Sequence, residues 1–196
     1  TEGIVGCFLR TLAEMGRPPL PSLAIQRTIG LPMPEAVGRL LGTKDEATIE
    51  DFIRRYQPYA DRYMTPGTHF FPGVPEVLAQ LRKGGAKIAI ISSKTSRRIQ
   101  EKLDESGTAA YIDFVIGCRE VALPKPDPEG ILQALRRFSL PKETVLYTGD
   151  SLVDAQAAEA AGVDFAAVTT GTTTAAALAR YPHVRVMDRL SELLNP

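Results

Sequence analysis

Four polar side chains in this sequence stand where short apolar runs end, and their types suit the handling of a phosphate and a hard cation. Asp150 and Asp154 follow Tyr147-Thr148-Gly149, which reads as a strand that turns at Gly149 and enters an Ala-rich helix. Two carboxylates four apart across such a turn can face one point above the strand end, and paired oxygens of this kind suit Mg²⁺. A helix cap with a first-turn acid explains the same segment equally well. Lys125 sits in Pro124-Lys125-Pro126-Asp127-Pro128. Pro126 biases it towards extended backbone, and Pro128 suits a first helical turn with Asp127 as its cap. An ammonium so fixed can neutralise a phosphoryl group, although a solvated lysine in a turn is the simpler reading. Ser92 ends the apolar run Ile90-Ile91 and would offer a hydroxyl to a phosphoryl oxygen; the simpler reading is a strand-end turn, with Ser96 capping the next helix.

The three signals reinforce one another, because each ends or follows a strand in a series of alternating strands and helices. All can meet on one sheet edge, where ligands of such sheets collect. Ser93 and Lys94 follow Ser92 and are candidates for substrate contact, against the commoner case of an exposed lysine. His69 and His183 have no ligand partners at useful spacing, and Thr169-Thr170-Gly171-Thr172 reads as a polar loop.

The elements that must position these groups fall into two parts. Up to about Tyr63 the pattern is helical, with Ile4, Phe8 and Leu12 four apart and Ile49, Phe52, Ile53, Tyr56 and Tyr63 on a later face. Turns at Gly16-Arg17-Pro18-Pro19 and Gly30-Leu31-Pro32 make this a small helical bundle. After Pro66-Gly67 and Pro72-Gly73 the rhythm changes, which sets a domain of residues 1–70 before one of residues 71–196. A helix through Val77, Leu78 and Leu81 ends at Gly84-Gly85. Strands follow at 87–91, 114–116, 144–147, 165–168 and 184–186. This alternation argues for an α/β fold with a parallel sheet.

Composition narrows the function. The chain has 196 residues, 44% of them hydrophobic, with 23 Lys and Arg against 23 Asp and Glu. That is enough to bury a substantial core, and no single-sign run marks a nucleic-acid or anionic membrane partner. Cys7 and Cys118 lie outside any metal or disulfide spacing and are expected to be buried, in a reducing compartment. No apolar run approaches the roughly 18 residues of a membrane span, and the start lacks a basic leader. The expectation is a cytoplasmic protein, a monomer or homodimer, acting on a small molecule.

At this point the ordered set Ser92, Lys125 in KPDP, and Gly149-Asp150 with Asp154 resembles the haloacid dehalogenase superfamily. Within it, the match is to the phosphoglycolate phosphatase-like and β-phosphoglucomutase-like enzymes with an early helical cap. Phe71-Pro72-Gly73-Val74 is similar to that subgroup's return from cap to core, and Arg27 with Gly30 and Leu31 to its substrate-facing cap turn. The resemblance implies a Rossmann-like core and one Mg²⁺ held by Asp150, with Asp154 as direct or indirect partner. It assigns Ser92 and Lys125 to the phosphoryl oxygens, with transfer to an aspartate and a cap that closes over the substrate. Phosphoglycolate is the first substrate expected, then pyrophosphate, nucleotide monophosphates and sugar phosphates.

The family's nucleophile lies in a DxDGT segment at the end of a first, central strand, and no DxD occurs in this sequence. The expectation is that this segment precedes Thr1. The strands at 87–92 and 144–148 should then lie about two strand spacings apart, ~9 to 10 Å instead of ~4.8 Å, and direct pairing between them would overturn the idea. A phosphomutase, or a phosphate- or Mg²⁺-binding protein without its nucleophile, are the alternatives.

Overall fold

A computed structural model describes residues 2–64 and 68–194; the expected turn at Pro66-Gly67 lies outside the described residues. The chain forms two compact units, Thr1–His69 and Phe70–Pro196.

The first unit is helical: α1 (Glu2–Glu14), α2 (Ser22–Gln26), α3 (Met33–Leu41) and α4 (Glu46–Tyr63). The four-residue spacing puts Phe8 and Leu12 of α1 on one buried stripe, which meets Phe52, Tyr56 and Ala60 of α4. The rings of Phe8 and Phe52 stand 5.2 Å apart and those of Phe8 and Tyr56 5.1 Å apart, tilted as aromatic quadrupoles prefer. Asp45 starts α4 by accepting from the Thr48 N–H at 2.9 Å.

The second unit alternates: α5 (Val74–Lys83), β1 (Ala89–Ile91), α6 (Ser96–Glu105), β2 (Phe114–Ile116), α7 (Glu129–Phe138), β3 (Leu146–Gly149), α8 (Leu152–Ala161), β4 (Asp164–Val168), α9 (Ala175–Leu178) and β5 (Arg185–Met187). Gly73, at φ 81°, turns the chain into α5 in a conformation that side chains other than glycine resist. All pairings are parallel. Ile90 lies opposite Val115, Thr148 opposite Ala166 and Ala167 opposite Val186. The main core gathers Ile131 of α7, Ala155, Ala157, Ala158 and Ala161 of α8, and Phe165 and Ala167 of β4.

The expected strands at 87–91 and 144–147 are corrected at their starts. Pro141 to Thr144 close a 3₁₀ turn through Thr144 Oγ1, which donates to the Pro141 carbonyl at 2.8 Å, so β3 begins at Leu146. Ile88 gives its N–H to the Asp113 carboxylate at 2.7 Å instead of to a strand partner. Ser96 is not the cap of α6: Thr95 holds that place and Ser96 is the first helical residue. Pro128 rather than Asp127 is the cap of α7, while Asp127 still accepts from the Glu129 N–H at 2.9 Å. Cys7 is buried as expected; Cys118 is exposed.

The sheet is divided. β1 pairs with β2, and β3 with β4, and among the described residues β1 and β3 do not pair. The residues of β1 are all partly exposed and Leu146 of β3 is 45% exposed, whereas the last four residues of β4 are buried.

Candidate active site

Ser92, Ser93, Lys94, Lys125 and Asp150 sit just past a parallel strand or in the loop that follows one, and Asp154 is in the first turn of α8. Ser92 is the first residue after β1, tied to β2 by its N–H, which donates to the Ile116 carbonyl at 2.9 Å. Its hydroxyl accepts from the Lys94 N–H at 3.2 Å. An oxygen used as acceptor in this way keeps its proton free to donate. Ser92, Ser93 and Lys125 line one small depression, with Cys118 and Leu123 beside them. The serine loop and the lysine turn are therefore brought together.

Lys125 does not extend into solvent. Its ammonium donates to Asp154 Oδ1 at 2.5 Å and to the Tyr147 hydroxyl at 3.3 Å, and the ion-paired side chains are only 13% and 7% exposed. Tyr147 donates to the same Asp154 oxygen at 3.1 Å. The other oxygen accepts from the Ser151 N–H at 3.1 Å and from the Ser151 hydroxyl. Burial works to raise the pKa of Asp154, but the Lys125 charge and the bonds from Lys125, Ser151 and Tyr147 prevail and hold it below the usual carboxylate range. Burial, with the nearby Asp154 charge, pushes the Tyr147 phenol well above its ordinary value, so it stays a neutral donor.

Asp150 is in the opposite condition. It lies in the turn between β3 and α8, half-buried, and has no side-chain partner among the described residues. Burial first, then the Asp154 charge, raises its pKa, against the pull of Lys125, its own N–H and Lys94. Two glycines make room for these acids. A Cβ on Gly149 would come within 2.6 Å of Asp154 Cγ, and one on Gly171 within 2.7 Å of Asp150 Cγ. Lys94 is exposed, yet protein packed about its end lowers its pKa by desolvation, which the Asp150 charge opposes. Arg27, in the first unit, closes α2, its N–H bonding back to the Leu23 carbonyl at 3.1 Å.

Among the described residues no group of three or more His, Cys, Asp and Glu gathers to hold a metal. One desolvated, unpaired carboxylate within the field of Lys125 and Lys94 nevertheless fits Mg²⁺. That ion takes one or two carboxylates and fills its remaining positions with water and substrate phosphate. Asp150 has the free oxygens for this and Asp154, with both oxygens engaged, does not. Tyr147, Ser151 and Gly171 carry parts of the site that spacing alone did not single out. Ser151 was legible as the first residue of a Ser-x-x-Asp capping pattern. Gly171 had no signal, since its contact with Asp150 joins loops of different strands.

The profile of the haloacid dehalogenase-like hydrolase family matches residues 1–168. The chain is 34% identical to the Dickeya dadantii protein named "Probable phosphatase IndB", over 99% of this chain and 86% of that one. It is 32% identical to phosphoglycolate phosphatase 1 of Pseudomonas aeruginosa, over 93% of this chain and 69% of that one. Among solved structures, a haloacid dehalogenase-like hydrolase from Bacteroides fragilis superposes with a TM-score of 0.94 at 41% identity, covering 98% of this chain and 91% of that one.

Proposed function

Because the chain belongs to the haloacid dehalogenase-like hydrolase family, we propose that it is a Mg²⁺-dependent phosphatase that hydrolyses a small phosphomonoester through a phosphoaspartate. Relatives named phosphoglycolate phosphatase make phosphoglycolate the first substrate. The observation that carries the reading is the depression walled by Ser92 and Lys125, with Lys125 fixed by the buried Asp154 beside the unpaired Asp150.

In this reading Asp150 holds Mg²⁺, which when bound supplies positive charge opposite the phosphoryl oxygens. Ser92 donates its free proton to one of those oxygens. The Lys125 ammonium, with three donors of which two are engaged by Asp154 and Tyr147, directs its third at another. Asp154 and Tyr147 do not touch the substrate; they stop Lys125 from swinging away. The attacking carboxylate has no candidate at the described strand ends. We place it on a strand that precedes Thr1 and would lie between β1 and β3, which do not pair with each other among the described residues. Water then hydrolyses the acyl phosphate, releasing phosphate and restoring the carboxylate.

The test is phosphate release from a panel of phosphorylated metabolites by the intact protein with Mg²⁺, phosphoglycolate included. Release that ceases with chelator and in Asp150→Ala supports the proposal; no release from any member sinks it. Intact mass bears on the nucleophile separately, since a mass of 21.3 kDa would remove the preceding strand from the molecule.

A further inference from the structure

Outside the groups that would meet the substrate, one carboxylate joins the two loops that carry them. Glu120, four residues beyond β2, accepts from the Gly117 N–H through Oε2 at 2.7 Å and from the Ser96 hydroxyl through Oε1 at 2.7 Å. Ser96 opens α6 directly after the loop of Ser92, Ser93 and Lys94. The two loops lie almost in backbone contact: the Cys118 N–H donates to the Lys94 carbonyl at 3.0 Å, and a Cβ on Gly117 would stand 2.6 Å from that carbonyl oxygen.

The start of α6 has little else to hold it. Thr95, in the capping place, makes no side-chain cap, and its buried hydroxyl has no partner among the described residues. No acid stands in the first turn of α6, and the hydroxyl of its first residue, Ser96, is held instead by Glu120 from the neighbouring loop. On its other side the Glu120 carbonyl accepts from Gln133 Nε2 of α7 at 2.9 Å, and that nitrogen also donates to Glu129 Oε1 at 3.0 Å. Glu129 in turn accepts the N–H groups of Ala122 and Leu123, at 3.0 and 2.8 Å to Oε2, just before Lys125.

We infer that Glu120 is a positioning residue, which locks the loop bearing Ser92 to the turn leading to Lys125 and so fixes the spacing of the two groups that hold the phosphoryl oxygens. The inference rests on the phosphatase reading above. Glu120 acts by geometry. It is exposed, where a lone charge is screened and a salt-dependent effect is small, while a two-point bond across a glycine contact fixes position. A glutamine can keep both bonds, accepting from Gly117 with its oxygen and donating to the Ser96 hydroxyl with its amide, so charge and geometry separate experimentally.

The test compares Glu120→Ala, Glu120→Gln and Ser96→Ala in the intact protein, measuring phosphomonoester hydrolysis, competitive inhibition by inorganic phosphate, and the Mg²⁺ concentration for half-maximal rate. Displacing a holding group by a fraction of an ångström costs on the order of tenfold or more. The expected result is a rise of about tenfold in KM and in the phosphate inhibition constant for Glu120→Ala. Ser96→Ala should show a smaller rise, and Glu120→Gln should rescue most of the loss. The Mg²⁺ requirement should stay unchanged, because Asp150 is held by a different turn. Wild-type kinetics in Glu120→Ala, an equal loss in Glu120→Gln, or a shifted Mg²⁺ requirement would each overturn the inference while leaving the phosphatase reading intact. A wild-type protein that neither hydrolyses the esters nor binds phosphate would remove both.

Discussion

Replacing Asp154 by asparagine tests the central electrostatic contact of the site with the least change of shape. Asp154 is 5% exposed, and its Oδ1 takes the Lys125 ammonium at 2.5 Å and the Tyr147 hydroxyl at 3.1 Å. Asparagine keeps one oxygen but presents an amide where the other accepted from Ser151. Either Lys125 or the Ser151 N–H then faces a donor. Removing one partner of a buried ion pair costs about 3 to 5 kcal/mol, and a buried donor left without an acceptor costs about 1 to 3 kcal/mol. These overlap, since the amide can satisfy one side, so the expected loss is about 3 kcal/mol. That is a large share of the ~5 to 15 kcal/mol of a typical domain. Urea unfolding monitored by circular dichroism measures it, alongside Lys125→Met and the double variant. If the pair is the cause, the losses are strongly non-additive, because Lys125→Met leaves no buried ammonium to orphan. Additive single losses, or an Asp154→Asn cost below about 1 kcal/mol, would refute the reasoning. The same contact sets an acid limit. Because the folded pKa of Asp154 is depressed, its contribution is full above the unfolded value of about 3.9 and fades as pH falls below it.

Asp150 predicts the opposite sign. Its pKa is raised, so its contribution to stability is greatest below the unfolded carboxylate value and is lost as pH rises through the folded one. Asp150→Asn should therefore raise Tm at neutral pH in chelator and abolish any stabilisation by added Mg²⁺; a variant less stable than wild type under those conditions contradicts this. Gly171→Ala puts a methyl group into the Asp150 carboxylate, with Cγ 2.7 Å from the new carbon. Calorimetric titration should show Mg²⁺ bound about tenfold more weakly, the usual scale for disturbing a ligand's support, and unchanged affinity would remove Gly171 from the site.

Strand existence and the placement of Ser92, Lys125 and Asp150 near strand ends were legible because they rest on local pattern: apolar runs, proline and glycine punctuation, and alternation with helices. The starts of β1 and β3 were not. Asp113, from the loop before β2, captures the Ile88 N–H, and the Thr144 hydroxyl closes a turn onto Pro141; both are side-chain bonds that apolar periodicity does not report. The capping of α6 failed for a related reason. Ser96 has the composition of a cap, but its hydroxyl is drawn to Glu120, 24 positions away, and no window of local sequence contains both. Cys118 was expected to be buried from residue type alone, yet it follows Gly117, whose close approach to the Ser96 N–H leaves the next side chain on the open face of the loop.

The two acids illustrate how one short segment separates two electrostatic tasks. A spacing of four across the turn suggested a matched pair facing one point. Folding instead gives them different phases, because Asp150 precedes the cap Ser151 while Asp154 is the third residue of α8. Asp154 can therefore bend back to the helix start and accept from the Ser151 N–H, which turns its carboxylate towards Lys125. Its charge is then satisfied for good, and what remains of its field falls on Asp150, adding to the burial that makes that carboxylate reluctant to ionise alone. A divalent cation relieves this reluctance, whereas a protein cation would remove the reason to bind one. Of the lysines near the two acids, Lys125 is committed to Asp154 at 2.5 Å, and Lys94 acts on Asp150 through its charge, without an ion pair among the described residues. The pairing of one acid is thus what keeps the other available, and neutralising Asp154 should tighten the grip of Lys125 on Asp150 at the expense of Mg²⁺.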